Sequence, residues 1–277
     1  MNALRPPKLA GWIAAGVSAV FAAPLVWMTL ASLKSPEQTI ADPYSWLPTQ
    51  WHWSNYREAT EQMPFWRYLA NSLTLCVGSV AGTLISCTCA AYAFARLRWP
   101  GRDLAFAALI ATMLLPWQAT MVPRFLLLRE LGLYDSLAAL IVPKFFAEGF
   151  YVFLLRQYFL ATPVELIEAA RLDGCSELGV LWRIMTPLAT PALAAVALLE
   201  FTSAWNDYGG PLLYLSDPDG FPLAYGLERF VSAHSSEPHL LMAAAVLFTL
   251  PVASGFLWAQ RRMARGAASG WAGTPLS

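Results

Sequence analysis

Leu9 to Leu33 contains no charged side chain, and five later stretches are nearly as apolar. About 20 consecutive apolar residues let an α-helix cross the roughly 30 Å hydrocarbon core of a bilayer. Inside lipid the backbone must satisfy its own hydrogen bonds, which leaves only helices and closed barrels. These runs are continuous rather than alternating, so they read as helices, and the chain as an all-α membrane protein with six transmembrane helices. Composition agrees: 57% of the 277 residues are apolar and 13% charged, where a soluble domain carries about a quarter charged. A cleavable leader has an apolar core of only about 7–15 residues, so the first run reads as a span, with a short N-terminal segment making up residues 1–33.

Residues 34–68 form a polar loop rich in proline and in tryptophan (Trp46, Trp51, Trp53, Trp66), the residue that anchors chains at the membrane–water interface. A core of five spans follows over 69–261, at about 69–95, 104–127, 136–159, 188–208 and 239–259, and 262–277 is a tail whose residues from Gly266 on read as small and flexible. The second span carries Gly78, Gly82, Ser86 and Ala90 at four-residue steps. Such a small-residue ridge lets another helix approach closely, whether from this chain or from a partner. Pro116 and Pro123 lie in the third span and Pro251 in the sixth, where each can kink a helix. Lys144 and Glu148 are one turn apart in the fourth and can pair across one face. Glu200 in the fifth costs about 2.5–3.5 kcal/mol to insert if central. It therefore faces protein or water, either as part of a translocation path with Asn206 and Asp207 or as a buried hydrogen-bonding group. Asn206 and Asp207 can equally mark the wet end of that span.

Several functions are disfavoured. The formal net charge of zero gives no argument for nucleic acid. The lysines are Lys8, Lys34 and Lys144, and none follows a glycine, so the chain has no phosphate-cradling P-loop. Cys76, Cys87, Cys89 and Cys175 have no metal spacing and read as small apolar fillers without disulfides. His52, His234 and His239 read as loop residues rather than metal ligands. No nucleophile and base share one rigid element, so an enzyme is not expected. Of the 18 basic residues, eleven fall on the side holding both termini, the 96–102 loop and the charged segment after 159 together with Arg156, six fall on the other, and Lys144 lies within a span. Basic residues favour the cytoplasm, which places both termini there.

One cytoplasmic segment is unlike the rest. Residues 162–191 concentrate Glu165, Glu168, Arg171, Asp173, Glu177 and Arg183 in a chain otherwise poor in charge. Thr162 and Glu165 have capping-box spacing, with Pro163 at the first helical position. Gly174 can end that helix in the left-handed conformation, and Ser176 can cap a second helix that ends around Pro187. A helix–turn–helix at the membrane surface is built to touch another protein.

That segment resembles the EAA loop of bacterial ABC importer permeases: Glu168-Ala169-Ala170, then Gly174, then Ile184 and Pro187 at the family's spacing. The family has leucine before the proline. Thr186 stands there in this chain and can still pack by its methyl group. Asp173-Gly174-Cys175-Ser176, Leu155-Arg156-Gln157-Tyr158-Phe159 and Trp205-Asn206-Asp207-Tyr208 are similar to the carbohydrate-uptake branch, of MalG type. The resemblance implies the type I ABC importer transmembrane fold. It also implies a heterodimer with a second permease subunit, two cytoplasmic ATPase subunits that carry ATP and magnesium, and an extracytoplasmic solute-binding protein. Glu168, Ala169, Ala170, Arg171, Asp173, Gly174, Ile184 and Pro187 would form the ATPase-coupling loop. This chain would hold no cofactor or metal, and its solute would be a sugar or oligosaccharide. The alternatives are an ABC permease for glycerol phosphate, a polyol or an amino acid, or a secondary transporter. The last needs its own coupling-ion site and often shows repeated halves, and no repeat is visible.

Overall fold

The computed structural model describes residues 8–233 and 237–270, with side chains described for 11–228, 230 and 237–257. Among these residues every regular element is helical. In chain order they are α1 (Lys8–Ala31), α2 (Pro36–Ala41), α3 (Ser54–Glu61), α4 (Phe65–Arg96), α5 (Arg102–Thr112), α6 (Trp117–Glu130), α7 (Ala138–Ile141), α8 (Gly149–Ala161), α9 (Val164–Leu172), α10 (Glu177–Val180), α11 (Thr186–Leu188), α12 (Thr190–Trp205), α13 (Gly209–Tyr214), α14 (Leu223–Ala233) and α15 (Pro238–Gly270). Four stretches are long and apolar enough to cross a membrane singly, at Gly11–Ala31, Phe65–Arg96, Ala138–Ala161 and Pro238–Leu257. The other two spans are bent pairs: α5 with α6 at 101°, and Glu177–Leu188 with α12 at 80°. The total is six.

Three of the expected spans, at 104–127, 136–159 and 239–259, take a more detailed form in the structure. The third breaks between Thr112 and Trp117, with Pro116 extended at ψ 140°. Proline has no N–H to donate and disfavours helix in the residue before it. Pro123, by contrast, lies inside α6 without ending it. The fourth span is interrupted. After α7 comes a single 3₁₀ turn, Val142–Phe145, and the chain rejoins helix only at Gly149. The last helix continues past 259 to Gly270 with Pro251 inside it, so the backbone of Gly266–Gly270 is helical. The rest of the expected flexible tail, 271–277, lies outside the described residues, as do the side chains of Arg261, Arg262 and Arg265.

The chain divides into two compact units. One comprises Met1–Trp66 and Gly226–Pro251. In it the polar loop folds into α2 and α3 and is tied to the end of α1: Asn55 Nδ2 donates to the carbonyls of Ser32 (2.8 Å) and Lys34 (2.9 Å), and the Ser32 and Tyr56 hydroxyls lie 2.7 Å apart. Lys34 is itself buried, with Nζ donating to the Pro43 carbonyl. Trp46, Trp51, Trp53 and Trp66 stay exposed, as interfacial anchors do. His239 is buried here, while His234 is outside the described residues, and no group of metal-ligating side chains forms among the described ones.

The other unit comprises Arg67–Tyr225 and Val252–Ser277. Its core joins the C-terminal half of α4 (Cys87, Ala91, Tyr92, Ala95), α8 (Val152, Leu155, Phe159), α9 (Ile167, Ala170) and the run from Val180 to Val196. The four cysteines are free thiols, and Cys76 and Cys87 are buried. The small-residue ridge of α4 is used inside this chain. A Cβ on Gly78 would lie 2.9 Å from the Ile141 side chain, and one on Gly82 would lie 2.7 Å from the Phe145 ring. The Ser86 hydroxyl donates to the Lys144 carbonyl at 3.1 Å, and Ala90 packs on the core. What the ridge receives is the interrupted stretch of the fourth span, not a straight helix.

Candidate functional site

Two constellations stand out, one in the charged island and one inside the membrane-crossing region. The island forms the expected pair of helices. Ile167 and Ala170 of α9 point into the core, while Glu168, Ala169 and Arg171 face outward. At the end of α9, Gly174 has φ +80°. The Cys175 N–H reaches back to the Ala170 carbonyl at 2.9 Å, the six-to-one bond of a Schellman ending. Ser176 caps α10 by accepting from the Gly179 N–H at 3.2 Å. The capping box at Thr162 does not form. Thr162 still closes α8, its hydroxyl donating to the Tyr158 carbonyl, and α9 begins without a side-chain cap. The Arg96 guanidinium, from the end of α4, takes the carbonyls of Phe159 and Thr162 instead.

A chain of polar contacts then fixes the turn. Arg171 Nε lies 2.8 Å from Glu177 Oε1, and the Tyr92 hydroxyl donates to Glu177 Oε2 at 2.7 Å. The island is thus bonded to α4 through Glu177 of its second helix, and Arg171 of its first helix joins the same carboxylate. Glu168 has no ion-pair partner among the described residues; it lines a cavity of about 780 Å³ together with Arg96, Arg98, Arg102 and Arg171. Ile184 packs on the core from a π-turn, Leu181–Met185, that precedes the exposed Pro187. Thr186 has a role there: both its N–H and its hydroxyl (2.8 Å) donate to the Leu181 carbonyl.

The island also bares apolar side chains that composition alone did not flag. Leu172 is 89% exposed and Leu178 68%, and Trp182 is exposed as well. Leu178, Gly179, Trp182 and Arg183 line a hollow of about 460 Å³ with Gly174, Cys175 and Ser176. Large apolar side chains on an otherwise charged surface mark a contact with another protein or with the membrane. Gly179 was also missed, because nothing in its local sequence signals it. A Cβ there would lie 2.6 Å from Cys175 Sγ.

Inside the membrane-crossing region, the expected Lys144–Glu148 pair is present at 3.6 Å, but Lys144 Nζ lies closer to Glu200 Oε1, at 3.0 Å. The Glu200 side chain is 1% exposed, and neither of its oxygens is in an aligned hydrogen bond. Lys144 and Glu148 keep partly exposed side chains, and Asp207 lies within electrostatic reach of Lys144. Asn206 is exposed and donates to the Thr202 carbonyl, while Asp207 accepts from the Gly210 N–H and starts α13. The structure brings Lys144, Glu148 and Glu200 together and places Asn206 and Asp207 at the end of α12.

Residues 82–268 match the family described as the binding-protein-dependent transport system inner membrane component. The chain is 33% identical over 207 residues to an arabinooligosaccharides transport system permease of Halalkalibacterium halodurans, covering 75% of this chain and 74% of that one. It is 30% identical to a diacetylchitobiose uptake system permease of Streptomyces coelicolor, over 91% and 84% of the two chains. In structure it is similar to a chain of a bacterial ABC transporter involved in import of the acidic polysaccharide alginate. The TM-score is 0.77 at 28% identity, covering 94% of this chain and 99% of that one. The six spans and the type I ABC importer arrangement are thus those of a transport permease rather than an enzyme, and this chain belongs to the family of binding-protein-dependent transport system inner membrane components.

Proposed function

We propose that the chain is one of two permease subunits of an ATP-driven importer for a sugar or oligosaccharide, and that an ATPase subunit grips it at residues 162–191. Sugar uptake rests on the arabinooligosaccharide and diacetylchitobiose permeases that it resembles. The second permease, a pair of ATPases carrying ATP and magnesium, and an extracytoplasmic binding protein complete the assembly. Both termini and the island lie on the cytoplasmic side.

The observation that carries the coupling role is the bared Leu172, Leu178 and Trp182 on a turn that is otherwise firmly held. Arg171, Glu177 and Tyr92 bond the turn to α4, and Ile167, Ala170 and Ile184 pack it on the core of α4 and α8. A force applied to the exposed leucines is therefore passed to two spans. ATP shifts such an equilibrium only by binding one arrangement better than the other, so a stiff connection is required. Glu168, Ala169, Asp173 and Gly174 form the outer surface of the turn that the ATPase meets, and Pro187 ends it.

The test is recruitment. Leu172→Asp is expected to cut co-purification of the ATPase with the permease pair by at least tenfold while the two permeases still purify together. Full recruitment and normal ATP-driven uptake by that variant would remove the island from the coupling role. Uptake into vesicles driven by an ion gradient with no ATPase present would replace the importer reading with a secondary transporter.

A further inference from the structure

The interruption of the fourth span has two unequal sides. Phe146 (φ −110°, ψ 78°) and Glu148 (φ −89°, ψ 131°) leave the helix between the 3₁₀ turn and α8. One side is seated on protein. Gly82 lies under the Phe145 ring, Ser86 bonds the Lys144 carbonyl, and the Glu148 N–H points at Cys87 Sγ at 3.4 Å. Gly149 allows the Leu109 carbonyl to approach, since a Cβ would lie 2.9 Å from it. The other side carries two open ionisable groups, Lys144 and Glu148, with side chains 29% and 52% exposed. Non-helical backbone at membrane depth is tolerated where protein buries it or where it lines water, and ionised side chains there face a cavity rather than acyl chains. Broken helices at this depth are also where transporters place solute.

The charges say what kind of solute. Lys144 is held 3.0 Å from Glu200, whose side chain is buried, so its positive charge is already offset from behind. With Glu148 the group sums to one negative charge. An ammonium and a carboxylate 3.6 Å apart match neighbouring hydroxyl groups, which accept from one and donate to the other. An acidic solute meets net repulsion.

We propose that Lys144 and Glu148, presented by the break in the fourth span, line this subunit's side of the water-filled route and contact a neutral polyhydroxylated solute, with Glu200 as the positioning residue that holds and neutralises Lys144. This rests on the permease reading of the chain.

Cysteine accessibility in the assembled, reconstituted importer tests it, in a background where the unburied Cys89 and Cys175 are serine. Glu148→Cys is expected to react with a cationic, membrane-impermeant methanethiosulfonate at least tenfold faster than Val77→Cys, an exposed apolar position on α4, in either the nucleotide-free or the vanadate-trapped state. Adding Glu200→Gln leaves Lys144 un-neutralised. That should raise the rate with an anionic methanethiosulfonate relative to the cationic one by roughly tenfold, the effect of one unit charge a few ångströms away in a hydrated site. A purely structural Glu200 would not move that ratio. Phe146→Cys serves in place of Glu148→Cys if the latter does not assemble. Labelling no faster than Val77→Cys in both states, or an unchanged reagent ratio, overturns the proposal. ATPase recruitment measured on the same preparation separates that failure from a failure of the coupling reading.

Discussion

At the scale of single residues, the island depends on two glycines for different reasons. Gly174 is required by its backbone: φ is +80° and no atom lies within 4 Å of where a Cβ would be, so the cost of a side chain is conformational. An L-residue in the left-handed region costs about 1–2 kcal/mol. Gly179 is required by space, because Cys175 Sγ occupies the position its Cβ would contact. Gly179→Ala should therefore overpack the turn by about 1–3 kcal/mol. Hydrogen exchange over residues 174–182 would speed up by roughly five- to hundredfold in a locally opening segment. Cys175→Ala should remove most of that penalty, since touching residues couple. If Gly179→Ala alone exchanges like the parent, the contact does not constrain the turn. Gly174 was legible in the sequence because helix ends favour glycine. Gly179 was not, because its reason is a neighbour four residues back whose sulfur folds over it. Thr186 was legible only as a departure from the family's leucine; its hydroxyl bond to Leu181 depends on a π-turn that spacing does not reveal.

At the scale of elements, the apolar runs marked six stretches, because hydrophobic length is a sequence property, and the structure answers them with four long apolar helical stretches and two bent pairs. Their interruptions were less readable. Pro116 marks the break of the third span, yet Pro123 breaks nothing, and the fourth span leaves α-helix at the 3₁₀ turn that holds Pro143 and rejoins it only at Gly149. Neighbours seat the interrupted stretch: a ridge of small residues on α4 and the close approach of Gly149 to α5. The ridge was visible in sequence, but what it receives was not. Another element unreadable from sequence is the clamp between the 132–136 turn and the segment after α13. Asp135, at φ +61°, accepts from the N–H groups of Ser216 (2.7 Å) and Asp217 (2.9 Å), and the Tyr134 and Ser216 hydroxyls lie 2.6 Å apart. Those two backbone donors, Asp217's foremost, hold the Asp135 carboxyl below its usual value. A depressed carboxylate contributes stability that is present above the unfolded pKa of about 3.9 and is lost as pH falls through the lower folded value. Exchange of the Ser216 and Asp217 amides, corrected for intrinsic rates, should thus be protected at neutral pH and released in acid. Asp135→Ala should abolish that dependence. Equal protection at both ends of the range would show that the clamp does not rest on this carboxylate.

At the scale of the whole molecule, the chain is a membrane permease that carries no P-loop and offers a braced turn with apolar side chains exposed. In the importer proposed above, energy from nucleotide binding arrives from another subunit, and residues 162–191 are the braced segment proposed to receive it. The bracing is distributed: Arg96 from α4 holds the carbonyls that end α8, Tyr92 from α4 holds Glu177, and Ile167 and Ala170 share a core with Phe159 and Leu155. The charged character of the island and its EAA spacing were readable from residues alone. The contacts that stiffen it join residues some 60 to 85 positions apart, which no local pattern reports. The most direct measurement is the ratio of solute taken up to ATP hydrolysed by the reconstituted importer carrying Gly174→Leu. The expected result is a collapse of that ratio with the permease pair still assembled and its spans intact. A parental ratio would contradict the coupling role of the island.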